Sequence, residues 1–171
     1  MFQVGDLIIY GTNGVCQVEK IGSADVPGAA PDKLYYTLSP VRNPGGHIYT
    51  PVDNQRIVMR PILTADETEQ LMHALPEITP LTISDEKSVE ALYKRSLSSC
   101  DSIQWAQIIK TIYLRKQSRI RAGKKVTAVD DRYMRIAEDN FYGELAVVLK
   151  KDRSEVPSYI HEQVEEWTTV V

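Results

Sequence analysis

Cysteine, histidine and long apolar runs are all scarce in this chain of 171 residues, and each scarcity removes a class of function. Only Cys16 and Cys100 occur, far apart and without His or Cys neighbours at ligand spacing, so neither a disulfide framework nor a zinc site is expected. Both should be small buried residues. The histidines, His47, His73 and His161, fall in different stretches with no acid or nucleophile at a recognised spacing. Gly45-Gly46 is followed by no Walker-type lysine, and no Gly-rich phosphate loop occurs elsewhere. No apolar run approaches the roughly 20 residues of a membrane span, and Met1-Phe2-Gln3-Val4-Gly5-Asp6 lacks the basic-then-apolar start of a signal peptide. The expectation is a cytoplasmic protein without catalytic set, metal, cofactor, small-molecule substrate or membrane partner.

An excess of positive charge is missing too. Twenty Lys and Arg against 23 Asp and Glu leave a net charge of −3, which argues against bulk polyanion binding. The distribution is uneven. From Thr64 to Glu90 the acids Asp66, Glu67, Glu69, Glu77, Asp85, Glu86 and Glu90 stand against Lys87 alone. From Lys110 to Lys125 the cations Lys110, Arg115, Lys116, Arg119, Arg121, Lys124 and Lys125 have no acid among them. The adjacent pairs Asp130-Asp131 and Glu165-Glu166 point in different directions on a helix and read as solvated faces.

What is present is 43% hydrophobic residues, patterned in two ways. The first third reads as strands between turn signals. Leu7-Ile8-Ile9-Tyr10 and Val15-Cys16-Gln17-Val18 flank Gly11-Thr12-Asn13-Gly14, where Asn-Gly predicts a tight hairpin. Leu34, Tyr36 and Leu38 alternate with Tyr35, Thr37 and Ser39, the period of a half-buried strand. Pro44-Gly45-Gly46 is the next reversal, and strands over His47 to Pro51 and Ile57 to Arg60 follow. About five short strands suit a small SH3-like or Tudor-like β-barrel.

After Pro61 the period becomes helical. Thr64 and Glu67 form a capping box ahead of Leu71, Met72 and Leu75, and Pro76 and Pro80 end that helix. Ser84 is expected to cap a helix with Val89, Leu92, Tyr93 and Leu97 inside. Asp101 caps a second with Trp105, Ile108, Ile109, Ile112 and Tyr113 inside, closed by Gly123. Thr127, with Asp130 three residues on, opens a third carrying Met134, Ile136, Ala137, Phe141, Leu145, Val148 and Leu149. Pro157 sits in the first turn of a terminal helix, Ser154 to Trp167. The fold class is α+β: a β-module over residues 1–61, a helix and Pro-bounded linker over 62–83, and an all-helical module over 84–171.

Two kinds of binding chemistry remain. A barrel that is not fully closed leaves unpaired backbone groups along an outer strand, and His47-Ile48-Tyr49-Thr50 is the candidate, with His47 and Tyr49 on one side. An edge strand without a partner fits equally well. The Lys110 to Lys125 stretch, with Arg115 and Arg119 on one helical face, either neutralises phosphates or pairs with the acids upstream.

Phe2-Gln3-Val4-Gly5-Asp6-Leu7-Ile8-Ile9-Tyr10 with Gly14-Val15-Cys16-Gln17-Val18 resembles the start of bacterial CarD/CdnL-type transcription regulators, which share this module with transcription-repair coupling factors. Tyr49-Thr50-Pro51-Val52 with Asp53-Asn54 resembles the strand and turn that follow in that family. Leu97-Ser98-Ser99-Cys100-Asp101 is similar to its "SGD" helix junction, with Cys100 in place of the usual glycine. Val126-Thr127-Ala128-Val129-Asp130, then Ala137, Phe141 and Glu144-Leu145-Ala146, resembles its last helix. The resemblance covers the chain to about Leu149. It implies a Tudor-like module that adds a strand to the RNA polymerase β subunit through Arg42, His47, Ile48, Tyr49 and Thr50. It also implies a helical module set against promoter DNA through Lys110, Arg115, Lys116, Arg119, Arg121, Lys124, Lys125 and Arg132.

Family members carry a wedge tryptophan near the start of the first C-terminal helix, where this chain reads Ser84-Asp85-Glu86-Lys87-Ser88-Val89-Glu90. Trp105 shares a stripe with Ile108, Ile109 and Ile112 and is expected in the core, and Trp167 stands near an acidic terminus. Two readings follow: a polymerase-binding regulator that reaches promoter DNA without sequence readout, or an adaptor whose helices serve another protein. Cations of Lys110 to Lys125 exposed as one patch favour DNA; cations paired with Asp85, Glu86 and Glu90 favour the adaptor.

Overall fold

The computed structural model describes residues 1–168, with side chains through residue 164, and divides into two compact units, Met1–Ile62 and the chain from Leu63 onward. The side chains of Glu165, Glu166 and Trp167 lie outside the described residues.

The first unit is a five-stranded antiparallel sheet of β1 (Leu7–Tyr10), β2 (Val15–Gly22), β3 (Tyr35–Pro40), β4 (Ile48–Pro51) and β5 (Met59–Pro61). The hydrogen-bonded order is β4-β3-β2-β1-β5, so the ladder does not close and both β4 and β5 are edges. Ile8, Tyr10, Cys16, Val18, Tyr36 and Leu38 form one buried cluster, with Phe2, Ile48, Val52 and Met59 packed against it. Burial alternates along β3, whereas Ile9 on β1 and Val15 on β2, outside that cluster, are buried as well, so the start of the β1–β2 hairpin is covered on both faces. Tyr36 ties the N-terminus down, since its Oη accepts from the Phe2 amide at 3.0 Å while the rings sit 5.9 Å apart.

The tight hairpin expected between β1 and β2 is present, with Ile9 opposite Val15, and its connection is a 3₁₀ turn over Gly11–Asn13 with Gly14 at φ 73°. Gly11 governs it: its φ is 51°, and a Cβ there would stand 2.7 Å from Ile57 Cγ2. Leu34, expected on the inner face, precedes β3 and is exposed, while Tyr36 and Leu38 keep the predicted pattern.

The second unit is helical: α1 (Ala65–Ala74), α2 (Val89–Ser98), α3 (Ser102–Arg121), α4 (Ala128–Leu149) and α5 (Val156–Thr168). The start signals are side-chain caps. Thr64 and Glu67 make the reciprocal capping box of α1, Asp101 accepts from the Ile103 amide, and Thr127 accepts from the Asp130 amide. The cap ahead of α2 is Asp85, which accepts from the Lys87 amide and opens a 3₁₀ turn over Glu86–Ser88; Ser84 does not serve. Likewise α5 begins two residues later than predicted, behind a 3₁₀ turn over Arg153–Glu155 capped by Asp152.

The core of this unit holds Val89, Tyr93, Leu97, Trp105, Ile108, Ile112, Ala137, Phe141 and Leu145. Trp105 is fully buried, and its indole Nε1 donates to the Leu97 carbonyl at 3.1 Å, joining α3 to the end of α2. Between those helices Cys100 is also buried and takes φ 55°, a left-handed conformation that suits glycine. Glu144 is fully buried on α4, where Oε1 accepts from the Leu63 amide at 2.9 Å and Oε2 from Ser102 Oγ at 3.0 Å. Within segment 62–83, α1 and the Pro-containing stretch belong to the helical unit, and the Leu81 amide donates to Thr111 Oγ1 on α3.

Candidate functional site

Strand β4 is short because Gly45, at φ 93°, and the Gly46-to-Asn43 turn start it and Pro51 ends it. Its register with β3 pairs Tyr36 with Thr50, Thr37 with Tyr49 and Leu38 with Ile48. The Val52 amide donates to the Leu34 carbonyl, which makes that pair a hydrogen-bonded one. Alternation in an antiparallel ladder then turns Ile48 and Thr50 toward β3 with their backbone groups, and turns Tyr49 N–H and C=O outward to the free edge. Pro51 falls on an outward position as well, where its missing N–H leaves no ladder bond unmade.

The side chains follow the predicted split. Ile48 packs on the core and Thr50 is buried, whereas His47 and Tyr49 are exposed with their rings 6.5 Å apart. Arg42 is exposed in the β3–β4 turn. One residue beside this edge had no sequence signal. The β2–β3 register slips between Val18 and Lys20, leaving Glu19 as an extra residue on β2, and its Oε2 stands 3.0 Å from His47 Nε2. A bulge depends on cross-strand pairing, which a single strand's pattern does not carry.

The basic stretch lies on α3 and the turn after it, and much of it is engaged internally. Arg115 donates through its two terminal nitrogens to Glu86 at 2.8 and 3.0 Å, and through Nε to Asp130 Oδ2 at 3.0 Å. Tyr93 Oη donates to Asp130 Oδ1 at 2.9 Å, so this carboxylate is held by both neighbours. Asp130 is fully buried, which corrects the expectation of a solvated Asp130-Asp131 face. The Arg115 hydrogen bonds hold the Glu86 carboxyl below the usual carboxylate range, and burial together with Asp130 pushes the Tyr93 phenol well above its usual range.

Lys116 pairs with Asp131 at 2.6 Å, and Arg132 pairs with Glu90, whose carboxylate also accepts from Tyr133 Oη at 3.0 Å. The Tyr133 hydrogen bond, then Arg132 and Lys94, hold the Glu90 carboxyl low. Lys110 Nζ donates to the Ile78 carbonyl, and Arg119 Nε donates to the Lys125 carbonyl at 2.8 Å. Arg121, Lys124 and Lys125 are exposed and have no carboxylate partner among the described residues. Five of the eight candidate cations, Lys110, Arg115, Lys116, Arg119 and Arg132, are thus engaged by groups of the same unit. Asp85 is used as a cap, while Glu86 and Glu90 take Arg115 and Arg132.

Tyr113, expected inside, is more than half exposed, and so is Ile120. The 3.6-residue period places both at the border of the apolar stripe, and only the packing of α4 on α3 shows which side is covered. Among the described residues no group of three His, Cys, Asp or Glu side chains is placed to hold a metal ion, and no helix is long and apolar enough to cross a membrane.

No curated protein matches the chain. A family model does: the CarD-like/TRCF RID domain matches residues 2–63, the stretch that contains all five strands and the free β4 edge. The match supports, for residues 2–63, a CarD-like RNA polymerase-interacting module.

Proposed function

We propose that this chain is a non-catalytic transcription regulator that docks on the RNA polymerase β subunit by adding a strand at β4, and that its helical unit is an adaptor for another protein. The outward-facing backbone of Tyr49 on a free edge is the observation that supports the docking mode, because an edge strand with unmade hydrogen bonds is what strand addition uses. Arg42, His47 and Tyr49 flank that edge and supply side-chain contacts, while Ile48 and Thr50 hold the strand on the core.

The adaptor reading of the helices rests on the pairing of Arg115 with Glu86 and Asp130, and of Arg132 with Glu90. A cation paired with a carboxylate must give up that partner before it can replace a condensed counterion, which lowers its contribution to affinity for duplex DNA. Promoter DNA is the second reading, favoured by Arg121, Lys124 and Lys125, which stand exposed at the α3–α4 turn.

Affinity of the full chain for the isolated polymerase β lobe tests the first part. Tyr49→Pro should abolish binding and Tyr49→Ala should reduce it less, because proline deletes the outward donor and alanine keeps it. Equal affinity of both variants and the parent would rule β4 out as the contact. Titration of a 30-base-pair duplex at rising salt tests the second part. The adaptor reading expects no measurable binding at physiological salt, and a slope near −3 in log affinity against log salt would assign Arg121, Lys124 and Lys125 to phosphates.

A further inference from the structure

The adaptor reading leaves open what the helices would receive, and the exposed apolar side chains of this unit are unevenly spread. Among its described residues the large hydrophobics in contact with solvent are Ile103, Tyr113, Leu114 and Ile120, all on α3. They do not stand singly on a convex surface. A groove of about 300 Å³ lies between α3, α4, α5 and the end of α1, with Ile78, Ala106, Ile109, Tyr113 and Phe141 in its walls. A second groove of about 280 Å³ is lined by Tyr113, Leu114, Gln117, Ser118 and Arg121. Tyr113 lines both, so the two adjoin at that side chain and together follow α3 from Ala106 to Arg121, a trough with Tyr113 at its middle. At the rise of about 1.5 Å per helical residue, that span is about 22 Å, the length of a four-turn helix.

The electrostatics of the trough are one-sided at its far end. Arg121, Lys124 and Lys125 are exposed there without carboxylate partners among the described residues, whereas Arg115 and Lys116, on another side of α3, are neutralised by Glu86, Asp130 and Asp131. The walls are mainly apolar in the first groove and mixed in the second, with cations at the second groove's end and Glu138 only in the first. They complement an apolar ridge repeating at three and four residues with acids toward the cationic end. They do not complement a duplex, whose phosphates gain nothing from Leu114 and Ile120 and whose base steps are opened by a projecting side chain, not received in a trough.

We infer that the α3 trough is the docking site for an acidic amphipathic helix of a partner protein, with Tyr113, Leu114 and Ile120 contacting its apolar ridge and Arg121 and Lys124 its carboxylates. The inference rests on the adaptor reading of the helical unit.

The test uses the full chain and a fluorescein-labelled 16-residue peptide with leucines at three- and four-residue spacing and glutamates elsewhere. Comparators are a scrambled peptide of the same composition and a 30-base-pair duplex. The amphipathic peptide should bind at least about tenfold more tightly than the scrambled one. Leu114→Asp and Ile120→Asp, at exposed positions, should each weaken it about tenfold or more while the helical circular-dichroism signal is unchanged. Arg121→Glu with Lys124→Glu should weaken it several-fold and flatten its salt dependence.

Equal binding of the scrambled peptide, no binding of either, or binding indifferent to Leu114→Asp would overturn the trough as this site. With no duplex binding, those results leave the adaptor reading standing. Duplex binding lost on Arg121→Glu but kept in Leu114→Asp would overturn both.

Discussion

Removing Arg115 should destabilise the helical unit whether or not it affects any partner. The Asp130 side chain has no exposed surface, the Arg115 side chain is 18% exposed, and their Nε–Oδ2 separation is 3.0 Å. Arg115→Met keeps the length and apolar stem of the side chain but strands a carboxylate in the interior, with Tyr93 Oη still donating to it at 2.9 Å. Breaking one side of a buried ion pair costs about 3–5 kcal/mol, mostly because the remaining charge stays desolvated. The partial exposure of Arg115 puts the expected cost near the lower end, about 3 kcal/mol. For a unit of this size that is a fall of at least about 10 °C in melting temperature, read from the helical circular-dichroism signal at 222 nm.

Two controls separate the buried pair from its exposed neighbour. Glu86→Gln removes the other partner of Arg115, but the Glu86 side chain is 66% exposed, and an exposed ion pair contributes at most about 1 kcal/mol. Arg115→Met combined with Asp130→Leu removes both buried charges and should recover most of the loss, since apolar replacement of a whole buried pair is often neutral. An Arg115→Met melting temperature within a degree or two of the parent, or a double variant less stable than Arg115→Met alone, would refute this account. Charge reversal at Arg115 is consequently unsuitable for testing DNA contact, and Arg121, Lys124 and Lys125 are the positions to use.

Trp105→Ala should destabilise the helical unit by about 3–5 kcal/mol through a cavity at a fully buried site, and Trp105→Phe by less; an unchanged melting curve would take Trp105 out of the core. Burial pushes the Cys16 thiol up to about 11, so it should stay unreactive to an aromatic disulfide reagent at neutral pH until denaturant unfolds the sheet; rapid native labelling would contradict its burial. Cys100→Val should cost about 2 kcal/mol or more, because a β-branched side chain tolerates φ 55° poorly, while Cys100→Gly should be much milder; equal effects in urea unfolding would remove the backbone explanation. Glu86 and Glu90 both titrate below their ordinary 4.5 in the folded chain, so their contribution is present above that pH and lost as pH falls through and below it. The helical melting temperature should therefore drop in that acid range, and Glu86→Gln with Glu90→Gln should flatten the drop.

Much of the fold was legible in the residue order because its signals are local. Thr64 with Glu67, Asp101 and Thr127 cap the helices they precede, since a cap concerns a side chain and an amide two or three residues on. The inward alternation of Tyr36 and Leu38 and the burial of Trp105, Ile108 and Ile112 follow from periods of 2 and 3.6. The candidate strand His47 to Thr50 was readable for the same reason, and residues 2–63 resemble a known module closely enough for its family model to match them. An error at this level, Ser84 for Asp85 as the cap ahead of α2, comes from choosing between neighbouring polar residues that local preference ranks alike.

Charge fate was not legible, because it depends on partners distant in sequence. Nothing near Arg115 signals that Glu86, 29 residues before it, and Asp130, 15 residues after it, meet on its guanidinium, or that Arg132 reaches Glu90 across 42 positions. Those meetings need α2, α3 and α4 packed together. Glu19 joined His47 only through a bulge that exists in the paired sheet, and Asp130 became a buried anion only because Tyr93 and Arg115 converge on it. Composition and spacing say which charges a helix carries. Only the packing of one helix on the next decides which of them are paired within the unit and which, like Arg121 and Lys124, stay exposed.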